Sequence, residues 1–248
     1  MSLISPHSLE PVDKPIMFQS WEHLTFLHWK YDPATIQALL PEGLTVDNYD
    51  GWAWVALTPF VIRNLRLPFM RAVPWISSFP ETNVRTYVRD AEGYPGVWFF
   101  SLDADRLAAV VGARTGYRLP YQWAQMRVIL NGNTVEYHSR RNGLLAHRPA
   151  HADIAIAVGS PFAPEELTEF DHFLTARWRL YTTFSGRLGY AQIDHEPWPF
   201  CRAEVLRLDS DLVTAAGLPT PEGPPHILYS PRVDVRVAAP LVKIRPQT

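Results

Sequence analysis

The sequence predicts a mainly β protein (α+β in detail), with antiparallel strands closed into a barrel-like sheet system or stacked as a sandwich. Three observations carry this prediction. About ten short runs have the β-branched and aromatic content, or the period-two alternation, of strands. Turn signals separate them, the clearest being Asp50-Gly51, Asn131-Gly132-Asn133 and Ser185-Gly186. The regular alternation of strands with long helices that builds a parallel sheet is missing. A chain of 248 residues suits one large β-rich domain spanning 1-248, and no repeat, low-complexity tract or linker divides it.

Taken in order, residues 1–15 are polar and proline-containing and read as a loose segment. Residues 17–31 are aromatic-rich and read as a strand. Asp32-Pro33 opens a short helix with an N-cap and a proline at its first position, and Pro41 and Gly43 stop it. Residues 44–60 read as two strands around a turn. Residues 61–78 read as a long loop, because Pro59, Pro68 and Pro74 disfavour a regular element. Strand-like runs occupy 79–89, 95–102 and 118–127, with a helix expected from Asp103 to Thr115. Residues 134–141 and 151–159 continue the strands, and a helix is expected from Pro164 to about Leu174. A hairpin, a strand from Phe200, a short helix ended by Gly217 and a bent final strand complete the chain.

Composition excludes several classes. The net charge is −2 and no block of like charge occurs, so neither a nucleic acid nor an anionic membrane surface is an expected partner. Cys201 is the sole cysteine, which rules out an intramolecular disulfide and a cysteine-based zinc knuckle. The first residues lack a basic region followed by an apolar core, and no run approaches ~20 apolar residues. The expected location is therefore the cytoplasm, with a small-molecule ligand as partner and a homo-oligomer allowed. Nine histidines are present, but no HExxH or comparable spacing, and no metal or other cofactor is expected.

The densest mixture of polar and aromatic residues lies between 79 and 127. On a strand, Glu81, Asn83, Arg85 and Tyr87 share one face, and Thr82, Val84, Thr86 and Val88 the other. The polar face is either a solvated surface or the wall of a ligand cavity. An even hairpin loop brings Arg85 towards Trp98 and Asn83 towards Phe100. An odd loop brings Glu81 and Asn83 towards Asp103 and Ser101. Glu81 and Arg85 are roughly 13 Å apart along the strand, so each needs a cross-strand partner or a ligand.

The segments FPETNVRTYV, GVWFFSLDA and LPYQWAQM, with the earlier FLHW and GWAWVALTPF and the later FLTARWRLY and HEPWP, resemble the YqjF-type family of uncharacterised proteins. The resemblance spans roughly residues 17–237. That family is grouped with the acetoacetate decarboxylase-like superfamily, which implies an antiparallel, barrel-like fold with a central cavity. The decarboxylases of the superfamily use a Schiff-base lysine in a paired-lysine motif. Tyr121 and Gln122 stand at the comparable positions here, and the three lysines of this chain (Lys14, Lys30 and Lys243) lie elsewhere. A Schiff base needs an amine, so the resemblance argues against a lysine decarboxylase. Glu81, in FPETNV, matches a pocket glutamate of those enzymes.

Two functions fit. One is a lyase- or hydratase-type enzyme for a small carbonyl or carboxylate compound, with Arg85 holding the anion, Glu81 transferring a proton and Tyr121 donating to a developing oxyanion. In that reading His28, Asn83, Tyr87, Trp98 and Gln122 bind substrate. The alternative is a non-catalytic small-molecule-binding protein. A catalytic Glu81 belongs in an apolar pocket with raised proton affinity; a solvent-exposed or surface-paired Glu81 excludes catalysis.

Overall fold

A computed structural model describes residues 4–8, 10–73, 75–106, 119–141 and 148–242. Within these, the chain forms β1 (Met17–Tyr31), β2 (Leu44–Val46), β3 (Ala53–Arg66), β4 (Phe79–Asp90), β5 (Pro95–Ala104), β6 (Tyr121–Asn131), β7 (Thr134–Arg141), β8 (His151–Pro161), β9 (Arg179–Phe184), β10 (Arg187–His195), β11 (Cys201–Ser210), β12 (His226–Val237) and β13 (Leu241–Val242). The helices are brief: α1 (Pro33–Gln37), α2 (Glu169–Thr175) and α3 (Leu212–Ala215). Asp32 caps α1 by accepting from the Thr35 backbone N–H at 3.1 Å, with Pro33 at the first turn. Thr168 and Asp171 cap α2 reciprocally.

The strands belong to one sheet that closes on itself twice. Pairing of β4 with β5 completes a ring of nine strands, β5-β6-β7-β8-β11-β12-β1-β3-β4. Pairing of β10 with β12 completes a second ring, β5-β9-β10-β12-β1-β3-β4. The two rings share β5, β4, β3, β1 and β12 as a common wall. The wall splits because β5 pairs with β9 at Val97 and Trp98 and with β6 from Leu102 to Ala104. Both of these pairings are parallel, the exceptions in an otherwise antiparallel sheet.

A wall between two lumens is buried on both faces, and β4 is. Ten of its 12 residues are buried. Val84, with Leu27 and Leu57, packs against Val135, Tyr137, Ile154 and Ile156 of β7 and β8. Burying each such aliphatic side chain contributes about 1.5–3 kcal/mol. The opposite face of the wall meets β9 and β10, where Ile193 packs on Val233, Val235 and Val237 and on the partly buried Leu180.

Two irregularities set which side chains enter which lumen. In β1, His23 has φ 50°, and the register against β3 shifts between Glu22 and Leu27. Met17, Gln19 and Trp21 therefore share a face with Leu24. In β5, the register against β4 slips between Val84 and Arg85, so Ser101 faces Val84, Phe99 faces Arg85, and Phe100 has no partner across the strands.

Several sequence expectations need correction. β3 runs to Arg66, through Pro59, so the connection to β4 is shorter than 61–78. The N-terminal segment is tied down: Val12 is buried and its N–H donates to Asp194, and Glu10 pairs with Arg179. Asp103 and Ala104 end β5 rather than capping a helix, and most of the expected 103–115 helix lies outside the described residues. The helix expected from Pro164 is a single 3-10 turn (Pro164–Glu166) followed by α2. No helix among the described residues is long and apolar enough to cross a membrane.

Candidate functional site

The polar face of β4 is a cavity wall, not a solvated surface. Glu81, Asn83 and Arg85 line a cavity of about 340 Å³ inside the ring that contains β9 and β10. The pairing of β3 with β4 sets Phe60 opposite Glu81, Thr58 opposite Asn83 and Ala56 opposite Arg85. Most of the remaining lining is apolar, including Trp21, Ile62, Phe79, Phe99 and Leu102. Tyr121 enters because parallel pairing sets it beside Leu102. Its hydroxyl donates to Glu81 Oε2 at 2.8 Å.

Glu81 is 3% exposed. Burial pushes its carboxyl up, the Tyr121 bond opposes this, and the negative charge of Asp103 adds to it, leaving the group at about 8. Glu81 is therefore predominantly a neutral acid at pH 7, able to give a proton from Oε1 to a bound molecule. The Tyr121 proton is already engaged by Oε2, so Tyr121 orients the acid; the expected donation from Tyr121 to an oxyanion is not what this geometry offers. Asp103 lies behind Glu81, held by the Arg141 guanidinium at 2.6–3.0 Å, with Ser101 accepting a further Arg141 N–H. This buried pair belongs to the other lumen.

Arg85 is 9% exposed, and among the described residues no carboxylate lies within ion-pairing distance of it. Its guanidinium sits over the rings of Phe26 at 5.2 Å and Tyr87 at 6.0 Å. Its Nε, the Asn83 Oδ1 and the Thr58 Oγ1 are buried without a hydrogen-bond partner among the described residues. Each unmet group costs about 1–3 kcal/mol, and a charged one more. Arg85 Nε and Thr58 Oγ1 can donate to an anion, whereas Asn83 Oδ1 accepts and suits a hydroxyl or other donor.

The other candidate residues divide. His28 and Tyr87 lie beyond Arg85, fully buried and joined by a 2.7 Å hydrogen bond between His28 Nε2 and the Tyr87 hydroxyl. Burial and the nearby positive charges of His226 and Arg85 hold His28 well below the usual histidine range. The pair supports Arg85 without lining the cavity. Trp98 pairs with Thr86, on the face away from Arg85, and lines a separate recess with Tyr181. Gln122 lies on the opposite face of β6 from Tyr121, beside Asp103. Neither Trp98 nor Gln122 reaches the cavity. Phe99 takes the position beside Arg85 expected for Trp98, because the turn that joins Arg89 to Pro95 has an odd number of residues.

One neighbour of the site went unread in the sequence. His195 is buried, with its ring centroid 4.4 Å from Trp198, 4.7 Å from Trp178 and 6.1 Å from the cavity residue Trp21. Its Nδ1 donates to the Glu196 carbonyl at 2.6 Å, leaving Nε2 an acceptor without a partner among the described residues. Burial and the charge of Arg85 lower it to about 4, so it stays neutral. Its HEPWP segment was visible, but the histidines invite a metal reading first. Among the described residues no three His, Cys, Asp or Glu side chains are grouped as metal ligands.

A doubly closed, strand-rich barrel with few helices is an acetoacetate decarboxylase-like fold. The structure superimposes on the enduracididine biosynthesis enzyme MppR complexed with pyruvate with a TM-score of 0.64 and 11% identity, covering 95% of this chain and 93% of that one. An acetoacetate decarboxylase-like enzyme from Sphingomonas wittichii RW1 gives 0.62 and 13%, covering 93% and 94%. Acetoacetate decarboxylase from Legionella pneumophila gives 0.59 and 12%, covering 95% and 92%. Residues 18–234 match the family DUF2071, described as an uncharacterised conserved protein, and the chain belongs to that family. The uncharacterised protein YqjF of Bacillus subtilis (strain 168) is 39% identical over 226 residues, 89% of each chain.

Proposed function

We propose that the chain is a lysine-independent acid–base enzyme, of lyase or hydratase type, acting on a carbonyl or carboxylate compound held against β4. Arg85 anchors the carboxylate, with Thr58 as a second donor and Asn83 Oδ1 placed to accept from a hydroxyl of the ligand. Glu81 gives its proton to the substrate's carbonyl oxygen while water takes a proton from the carbon beside that carbonyl; the enol so formed returns the oxygen proton to Glu81 as solvent reprotonates the carbon, and Tyr121 orients Glu81 and steadies the carboxylate left behind. The observation that carries this reading is a fully buried, neutral Glu81 on the same cavity wall as a guanidinium without a carboxylate partner. The pyruvate bound to one structural neighbour supports the ligand class. Lys14 and Lys30 are exposed at the surface, which supports chemistry without an imine.

Proton exchange tests the reading directly. Pyruvate or acetoacetate incubated with the protein in D₂O should lose the NMR signal of the protons on the carbon beside its ketone faster than in buffer, and Glu81→Gln should remove the acceleration. The rate should fall as pH rises through about 8, as the acid ionises. The second reading, a binding protein, is favoured by the engagement of Tyr121 with Glu81 rather than with a free oxyanion position. It would be established by Arg85-dependent binding of these acids without any exchange.

A further inference from the structure

We infer that the ligand is an extended amphipathic monocarboxylate, with its head at Arg85, its reacting oxygen function at Glu81 and an apolar body reaching outward beyond Phe79. This rests on the proposal that Arg85 receives a carboxylate, and adds the size and shape of the remainder of the ligand.

Polarity is ordered along the wall. Reading β4 backwards with its β3 partners gives Arg85 with Ala56, Asn83 with Thr58, Glu81 with Phe60, then Phe79 with Ile62. Charge lies at one end, hydrogen-bonding groups in the middle and hydrocarbon at the other. Leu65 and the half-exposed Ile76 continue the hydrocarbon end to the surface. The adjoining connection between β3 and β4 carries exposed Leu67, Phe69 and Trp75, so the apolar path does not stop at the rim.

Strand spacing orients the ligand. Arg85 and Glu81 are roughly 13 Å apart along the strand. Both side chains enter one cavity from those positions, so a ligand that engages both lies along the wall. Volume points the same way. At about 340 Å³ the cavity falls in the range of roughly 300–1,000 Å³ that holds drug-sized ligands, well above the needs of an acid as small as pyruvate. An acid as small as pyruvate would leave much of the apolar wall facing empty space or water, and a hydrocarbon body would cover it.

Calorimetric titration of the full chain with straight-chain carboxylates from acetate to decanoate, and with octanol, tests this. Affinity should rise about fourfold for each methylene, or about 200-fold from butyrate to octanoate. Octanol should bind far more weakly than octanoate, and Arg85→Met should remove the difference. Ile62→Trp, which fills the outer end, should spare butyrate and exclude octanoate. The half-exposed Ile76→Asp, which leaves the core packing alone, should weaken decanoate more than butyrate. Arg85-dependent binding that is flat with chain length overturns the extended ligand and leaves the carboxylate site standing. Length-dependent binding that is equal for octanol and indifferent to Arg85 overturns the carboxylate head, and the proposed function with it. Binding by no member of the series overturns both.

Discussion

Replacing Glu81 with Gln should stabilise the protein at neutral and alkaline pH, an unusual outcome for a buried site residue. The free carboxyl titrates at 4.5 and the folded one at about 8. The folded state therefore holds its proton more tightly than the unfolded state. The stability associated with that proton is complete below pH 4.5 and is lost as pH rises to about 8, at about 1.4 kcal/mol per pH unit. At pH 7 the accumulated loss is about 3 kcal/mol, and above pH 8 it approaches about 5 kcal/mol. Gln cannot ionise, keeps nearly the same volume and still accepts from Tyr121. Urea unfolding of both proteins at several pH values between 5 and 9 should show curves that nearly coincide at pH 5 and separate steadily above it, with Glu81→Gln the more stable. A difference in stability that does not change with pH would refute the neutral, buried acid and remove the basis for catalysis by Glu81.

The geometry makes three further outcomes testable. Arg141→Met should cost about 3–5 kcal/mol in urea unfolding by stranding the buried Asp103 carboxylate, whereas Arg141→Met with Asp103→Leu should recover most of the loss. Gly96→Ala should be poorly tolerated, with a lowered unfolding midpoint or insoluble expression, because the added Cβ would sit 2.5 Å from the Tyr181 ring and 2.6 Å from the Arg179 carbonyl. Borohydride treatment in the presence of acetoacetate or pyruvate should leave the intact mass unchanged; a trapped lysine adduct would overturn the imine-free chemistry.

The fold class was legible in the sequence because strand composition and turn chemistry are local properties. Asp32-Pro33 capped a helix as its residue types require, and Asn131-Gly132-Asn133 gave the β6–β7 hairpin. The polar face of β4 was also legible, since alternation within an unbroken strand needs no partner. What stood opposite was not. Both hairpin registers for β4 and β5 assumed one parity throughout; the odd one holds next to the turn and sets Phe99 beside Arg85, and the bulge at Phe100 then moves Glu81 and Asn83 from Asp103 and Ser101 to Ala104 and Leu102. Whether the polar face met water or a cavity depended on ring closure by β9 and β10, which lie far along the chain. His195 was hidden for the same reason: its neighbour Trp21 comes from the other end of the sequence.

The common wall has a dynamic consequence. β4 is paired along both edges and packed on both faces, so its amides have no local route to solvent and should exchange hydrogen only when the whole barrel opens. Neither ring can come apart while the other keeps its wall. A ligand in the Glu81 cavity should therefore slow exchange in β7 and β8, which it never touches, as much as in β9 and β10. Such a chain can be altered on one side of β4 to change what it binds while the other side continues to hold the molecule together.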